Sequence, residues 1–173
     1  MRRADYAVAL QDADKLCSHD SLPQSTVARC GGLFNSLARA VNQKKADVGI
    51  EGPALTERSR QYYEKAITMD PDDVASFEGM ANVLGNLRNT DYSQAFLPHA
   101  QEMLSTHPRV SSLARALSGM CASMGDNVMA LNYAAMWQRT ALSDAERDAA
   151  TAYVSRLKET VDRNNLRNAA GPH

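Results

Sequence analysis

The chain has 173 residues, a formal net charge of −1 and only 6% aromatic residues. This length suits one domain with a buried core. The near-neutral charge excludes a global field that would attract nucleic acid or an acidic membrane. No apolar run approaches the ~18 residues of a membrane-spanning helix, so we expect no direct membrane insertion. The 44% of apolar residues, rich in alanine, favours close-packed helices over sheets.

The N-terminal stretch, residues 4–18, is predicted to form a single helix. Tyr6, Ala9, Ala13 and Leu16 recur at three- and four-residue spacing, which places them along one face. No proline or glycine interrupts this stretch. We therefore expect a lone helix ahead of the first helical hairpin.

A first hairpin is predicted over 21–71. Ser21 followed by Gln24 has the spacing of a capping box, which indicates the start of a helix. Around Gly49 and Gly52 the helical periodicity stops, so a long turn is expected there. A second helix then runs to Pro71.

The second predicted hairpin covers 70–108. Asp70 is expected to cap its first helix, because a carboxylate there can accept from free backbone N–H groups. The second helix begins either near Pro98 or near Ser93 with a kink at Pro98, and we favour the kink. Pro108 closes the unit.

A third hairpin is predicted over 109–142, and a capping helix over 143–163. Gly125 marks the turn of the hairpin. Ser143 and Glu146 have the spacing of a second capping box. The apolar face of the capping helix is expected to carry Ala149, Ala152, Tyr153, Leu157 and Val161. The polar stretch 164–173 is expected to be a disordered tail.

These hairpins resemble those of the tetratricopeptide repeat (TPR) family. The resemblance rests on ordered sets of small and large residues in each unit. They are Val27, Cys30, Gly31, Phe34, Ser59, Tyr63, Ala66 and Pro71, then Phe77, Met80, Ala81, Leu84, Ala100, Met103 and Pro108, then Leu117, Ser118, Cys121, Gly125, Asp126, Ala130 and Ala134. It implies an all-α fold in one domain over 1–163: a right-handed superhelix of antiparallel helix–turn–helix repeats with a C-terminal capping helix. Helix 4–18 is similar to the second helix of a repeat whose first is absent.

The resemblance also implies a binding groove lined by the first helices of successive hairpins. The groove positions would be Arg29, Asn35, Arg39, Glu78, Asn82, Asn86, Ser112 and Arg115. Asparagine suits this task because its amide both donates and accepts, and Asn82 is the strongest candidate. The alternative is that these are ordinary solvent-facing polar residues.

No residues with the pattern of a catalytic, metal or cofactor site are found. The four histidines lie at turns, near helix ends or in the tail, and none pairs with another at the i, i+4 spacing of a helical metal site. We therefore expect a protein that is not an enzyme, with no cofactor.

The three cysteines leave two alternatives open. Either Cys17, Cys30 and Cys121 are all small core residues, or Cys17 and Cys30 form a disulfide between consecutive helices whose faces pack together in the TPR family. A disulfide would indicate an oxidising compartment. The expected location is the cytoplasm, or the periplasm if an N-terminal signal or anchor was removed.

The predicted function is that of a non-enzymatic adaptor that binds a partner protein or peptide in its groove. An alanine- and arginine-rich, lysine-poor composition favours a bacterial assembly such as a secretion or pilus apparatus. The alternative is a chaperone for a secreted client protein. Helix 4–18 is further expected to leave an apolar side uncovered, which would pack on another chain, including a second copy of this one.

Overall fold

The computed structural model describes residues 3–19, 21–107 and 110–169. These residues form helices and connections, with no strand among them, so the all-α prediction is confirmed for this part of the chain. Pro108 and residues 170–173 lie outside it. The helices are α1 Arg3–Cys17, α2 Gln24–Asn42, α3 Gly52–Met69, α4 Val74–Leu87, α5 Thr90–Thr106, α6 Ser111–Ser123, α7 Asn127–Thr140 and α8 Asp144–Ala169.

The chain divides into two compact units, Met1–Leu87 and Arg88–His173. In the first unit α1 packs on α2, α2 on α3, and α4 on both α2 and α3. In the second unit α5 packs on α6, α6 on α7, and α7 on α8. Neighbouring helices thus pack in sequence order within each unit, as the predicted repeat arrangement requires.

In the first unit, α1 is joined closely to the helices that follow it. Its Leu10, Ala13 and Cys17 are buried in one cluster with Phe34 and Leu55. The Tyr62 hydroxyl donates to the backbone oxygen of Cys17 at 3.1 Å. The Arg58 guanidinium pairs with Asp14 at 2.7 Å. The apolar stripe of α1 is therefore largely covered within this chain, and its exposed large apolar residues are Val8 and Leu16.

Tyr63 of α3 lies between glycines of α2 and α4. A Cβ atom on Gly31 would come within 2.9 Å of the Tyr63 ring, and one on Gly79 would overlap that ring. The neighbouring Ser59 hydroxyl, fully buried, donates to the Gly31 backbone oxygen at 2.6 Å. The glycines therefore provide the close approach that lets three helices pack around one aromatic side chain.

Two predicted helix caps are wrong. No side-chain cap is found at the start of α2, which begins at Gln24 directly after Pro23. Ser21 does not cap it, because the chain enters the helix through the proline, whose missing N–H suits this position. Asp73, rather than Asp70, precedes α4, and its carboxylate accepts from the backbone N–H groups of Ala75 and Ser76.

The helix that contains Pro98 is continuous and begins earlier than predicted. It starts at Thr90, and the Asn89 side chain caps it by accepting from the Tyr92 N–H at 3.1 Å. Pro98 lies inside the helix. The alternative of a start near Pro98 is therefore wrong.

The last helix, α8, buries a different face than predicted and is longer than predicted. Glu146 donates its N–H to the Ser143 hydroxyl at 3.2 Å, as the capping box predicts, but its carboxylate accepts from the Leu142 N–H instead of from Ser143. α8 buries Ala150, Val154 and Leu157, whereas Ala149 and Ala152 are exposed. The tail prediction is wrong for 164–169, which continue α8, because no glycine or proline interrupts the sequence there.

Candidate functional site

The first helices of the two predicted N-terminal hairpins, α2 and α4, lie side by side and point the same way. At their N-terminal ends the Gln24 amide donates to Asp73 at 2.7 Å and to the Ser76 hydroxyl at 3.3 Å. Nearer their C-terminal ends the Asn86 amide donates to Asn35 at 3.1 Å. All three bonds join residues about 50 positions apart in sequence. The two helices are therefore parallel and in register, and they form one continuous surface.

Six of the predicted groove residues lie on these two helices. Arg29, Arg39, Asn82 and Asn86 are exposed, and Asn35 and Glu78 are half-buried. They do not all serve as free recognition groups. Asn35 and Asn86 bind each other, and the Asn82 amide donates to the Glu78 backbone oxygen in its own helix at 3.0 Å. Asn82, the strongest candidate from sequence, thus has part of its donor capacity already used.

The remaining two predicted residues, Ser112 and Arg115, lie on α6 of the second unit. Ser112 is half-buried and Arg115 is exposed. The Arg115 guanidinium lies 6.0 Å from the centre of the Trp137 ring, and its positive charge contributes to lowering the pKa of Glu146. Arg115 is thus part of the packing of α6 against α7 and the start of α8.

A cleft of about 730 Å³ opens on the surface of the first unit. The exposed face of α2 forms its floor, with the end of α1 on one side and the start of α4 on the other. Its lining residues are Leu16, Gln24, Ser25, Ala28, Arg29, Cys30, Gly32, Leu33, Ser36, Tyr63, Asp73 and Ala75. Of the predicted groove residues, Arg29 alone lines it.

The two charged residues of this cleft differ in how far they are satisfied. Asp73 accepts from the Gln24 amide, the Ser76 hydroxyl and two backbone N–H groups. Burial raises its pKa, but the bonds from Ser76 and Gln24 and the two N–H groups outweigh that effect, and the net pKa is lowered. Within the described part of the chain the Arg29 side chain has no hydrogen bond or ion pair. The unsatisfied charge of the cleft is therefore positive.

Several residues of this cleft escaped sequence reasoning. Sequence periodicity places Leu16 on the apolar stripe of its helix but in no binding site, and the structure leaves 47% of it exposed at the edge of the cleft. Ser25, Ala28, Gly32 and Ser36 follow one another at three- and four-residue spacing along α2. This series of small residues was a readable signal for a surface that a partner could approach closely.

Cys17 and Cys30 form a disulfide, with 6.0 Å between their Cα atoms, so the structure has the second of the two alternatives that the sequence left open. The bond joins the end of α1 to α2 and lies beside the cleft, which Cys30 lines. Cys121 is free and buried, and burial, with the charge of Asp126, raises the pKa of its thiol to about 12.

The described residues hold no cluster of three or more His, Cys, Asp or Glu side chains that could bind a metal ion. Of the histidines, His19 and His99 are exposed and His107 lies 3.0 Å from the Thr106 hydroxyl, whereas His173 is outside the described residues. Within the same part of the chain no helix is long and apolar enough to cross a membrane.

Comparison with protein-family models and with curated proteins finds no match to this chain.

Proposed function

We propose that this chain is a non-enzymatic adaptor of the TPR type, which binds a segment of a partner protein on the joint surface of α2 and α4. The observation that carries the proposal is the parallel, in-register pairing of these two helices, made by the bonds Gln24–Asp73 and Asn35–Asn86. The TPR resemblance assigns the same two helices to successive repeats, whose first helices line the binding groove. The cleft on this surface supplies space for a partner side chain.

A secretion or pilus assembly in a bacterium remains the proposed setting, and the disulfide supports an oxidising compartment such as the periplasm. Buried disulfides persist where thiols are not kept reduced. Cys121 fits the same setting, because a buried thiol with a pKa of about 12 is a poor nucleophile for disulfide exchange.

The proposal is tested by co-purification from the native source with the tagged chain and two charge-reversal variants. Arg29→Glu/Arg39→Glu alters the surface of α2, whereas Lys45→Glu/Lys65→Glu makes the same charge change at exposed positions of the same unit outside the cleft. We expect a stoichiometric partner with wild type and with the lysine variant, and its loss with the arginine variant. A partner that all three chains retain would move the binding site elsewhere, and no partner for any would overturn the proposal.

The lifetime of the complex separates the adaptor from the chaperone alternative. An adaptor remains as a subunit of the finished assembly, whereas a chaperone leaves its client before export. Quantifying this chain in the purified assembly, relative to its partner, distinguishes the two.

A further inference from the structure

The cleft of the first unit has an apolar part and a charged part that lie side by side. Leu16, Ala28 and Leu33 contribute the apolar part, and Arg29 lies between the last two along α2. Leu16 is 47% exposed although it is a large apolar residue. Covering it would remove apolar surface from water, which favours association.

The charge pattern determines which partner fits. α2 carries two arginines and no acidic residue, and the Arg29 guanidinium is exposed with no ion pair or hydrogen bond within the described residues. The acid that lines the same cleft, Asp73, already accepts four hydrogen bonds. A carboxylate of a partner would thus find a free fork of donors, which binds carboxylates in a bidentate manner.

A basic partner would bring a positive charge close to the positive charge of Arg29. Its ammonium or guanidinium group would lie near Arg29, and the one carboxylate in the cleft could pair with it only by giving up the bond from Gln24 of α2 or the bond from Ser76 at the start of α4. Like-charge juxtaposition at an interface disfavours the wrong partner.

We propose that the cleft docks a segment of a partner protein in which an acidic residue neighbours a large apolar residue, the carboxylate binding Arg29 and the apolar side chain covering Leu16. This inference rests on the proposed function and names the partner chemistry of its site. Small residues on the floor, Ser25 and Gly32 among them, let the backbone of the segment approach α2.

The test begins with a random 12-residue peptide library displayed on phage and selected on the full oxidised chain. We expect the enriched peptides to share an Asp or Glu within about four residues of Leu, Ile or Phe, the reach of one helical turn. A selection that enriches no peptide, or enriches peptides without an acid, overturns the proposal.

One enriched peptide, labelled with fluorescein, is then titrated by fluorescence anisotropy against four variants. Arg29→Glu and Leu16→Ser are each expected to weaken binding about tenfold or more. The matched control for Arg29→Glu is Lys65→Glu, the same charge reversal outside the cleft. The control for Leu16→Ser is Val8→Ser, because Val8 lies on the same helix and is 55% exposed. Both controls are expected to bind as wild type does.

A charge-swapped peptide completes the test. With its acid replaced by lysine, the peptide should bind Arg29→Glu about tenfold better than it binds wild type. Equal binding to both chains would contradict the pairing of Arg29 with a carboxylate. The co-purification experiment remains independent, since a partner that is lost with Arg29→Glu/Arg39→Glu but whose binding segment contains no acidic residue would keep the adaptor function and overturn this inference alone.

Discussion

Asn35 and Asn86 bind each other across α2 and α4, with 3.1 Å between the Asn86 amide nitrogen and the Asn35 amide oxygen. The two residues are 51 positions apart. The sequence assigns both residues to a binding groove, but in the structure their side chains bond to each other and join α2 to α4. Polar residues on such a surface can thus shape it without contacting a partner.

A double-mutant cycle should show this coupling. We expect Asn35→Ala and Asn86→Ala together to reveal an interaction free energy of about 0.5 kcal/mol, at the low end for a hydrogen bond because the pair is solvent-exposed. Urea unfolding of the four chains provides the measurement. Asn82→Ala is the control, since its amide bonds only within α4 and alanine favours a helix. A cycle with no coupling would mean that the bond contributes nothing to unfolding stability.

Gly79→Ala should destabilise the first unit by about 1–3 kcal/mol, because the new methyl group would overlap the Tyr63 ring. Gly119→Ala is the matched control: this helical glycine is exposed, and an added Cβ would meet nothing within 4 Å. There we expect a gain of about 1 kcal/mol from helix propensity alone. Thermal melts of both variants give the comparison. If both substitutions stabilise, Tyr63 does not need the glycine.

Truncating the aromatic ring should relieve the overlap. The cost of Gly79→Ala should therefore be smaller in a Tyr63→Ala background than in wild type, a non-additivity expected for residues in contact. Additive effects of the two substitutions would contradict the packing of Tyr63 between α2 and α4.

Thiol counting tests the disulfide directly. In the unfolded, unreduced chain isolated from its source, iodoacetamide should modify one cysteine, Cys121, and after reduction it should modify three. The Cys17→Ser/Cys30→Ser variant should lose about 3 kcal/mol, because the bond closes a short loop in the unfolded chain. Mass spectrometry and denaturant melts give the readouts. Three reactive thiols before reduction would contradict an oxidising compartment.

The pH dependence of the second unit should reflect Glu146. Its carboxylate accepts from the Leu142 N–H at 2.8 Å and from the Trp137 indole N–H at 2.9 Å. The bond from Leu142, with those from Ser111 and Trp137, lowers the pKa of Glu146. A lowered pKa means that its stabilisation is complete above the unfolded value of about 4.3 and is lost as the pH falls through the folded value.

Glu146→Gln should therefore unfold more easily than wild type at pH 7, and the difference should narrow at pH 3. Denaturant unfolding of both chains at the two pH values measures it. Asp144→Asn is a suitable control, because Asp144 is exposed and pairs only with its helical neighbour Arg147. A difference that does not change with pH would show that the charge of Glu146 has no role.

Within the described residues, sequence periodicity predicts the order of the helices, because apolar stripes and glycine- or proline-containing breaks are local signals. Periodicity does not predict features that depend on contacts between helices, such as the partner of a side chain or the buried face of a helix. Gln24 has the spacing of a capping box with Ser21, yet its amide bonds to α4, far away in sequence. Ala149 and Ala152 fitted an apolar stripe on α8, but alanine is small enough to be exposed at little cost, and Ala150 and Val154 face the core instead.

The candidate site was harder to predict than the fold. Arg29 was identified from its position in the repeat, but nothing local indicates that Asp73 is satisfied and Arg29 is not. That contrast depends on bonds between residues about 50 positions apart. Leu16 lines the cleft because the Cys17–Cys30 disulfide joins its helix to α2.

Every face of α2 contacts another helix or lines the cleft. One face carries the disulfide and Phe34 against α1 and α3, a second approaches Tyr63 through Gly31, a third bonds α4 through Asn35, and the fourth forms the floor of the cleft. Most surface helices can vary freely on the side that faces water. Here a survey of all single substitutions should find α2 the least tolerant helix of its unit, even at polar and exposed positions, and this part of the chain should change most slowly as the protein evolves.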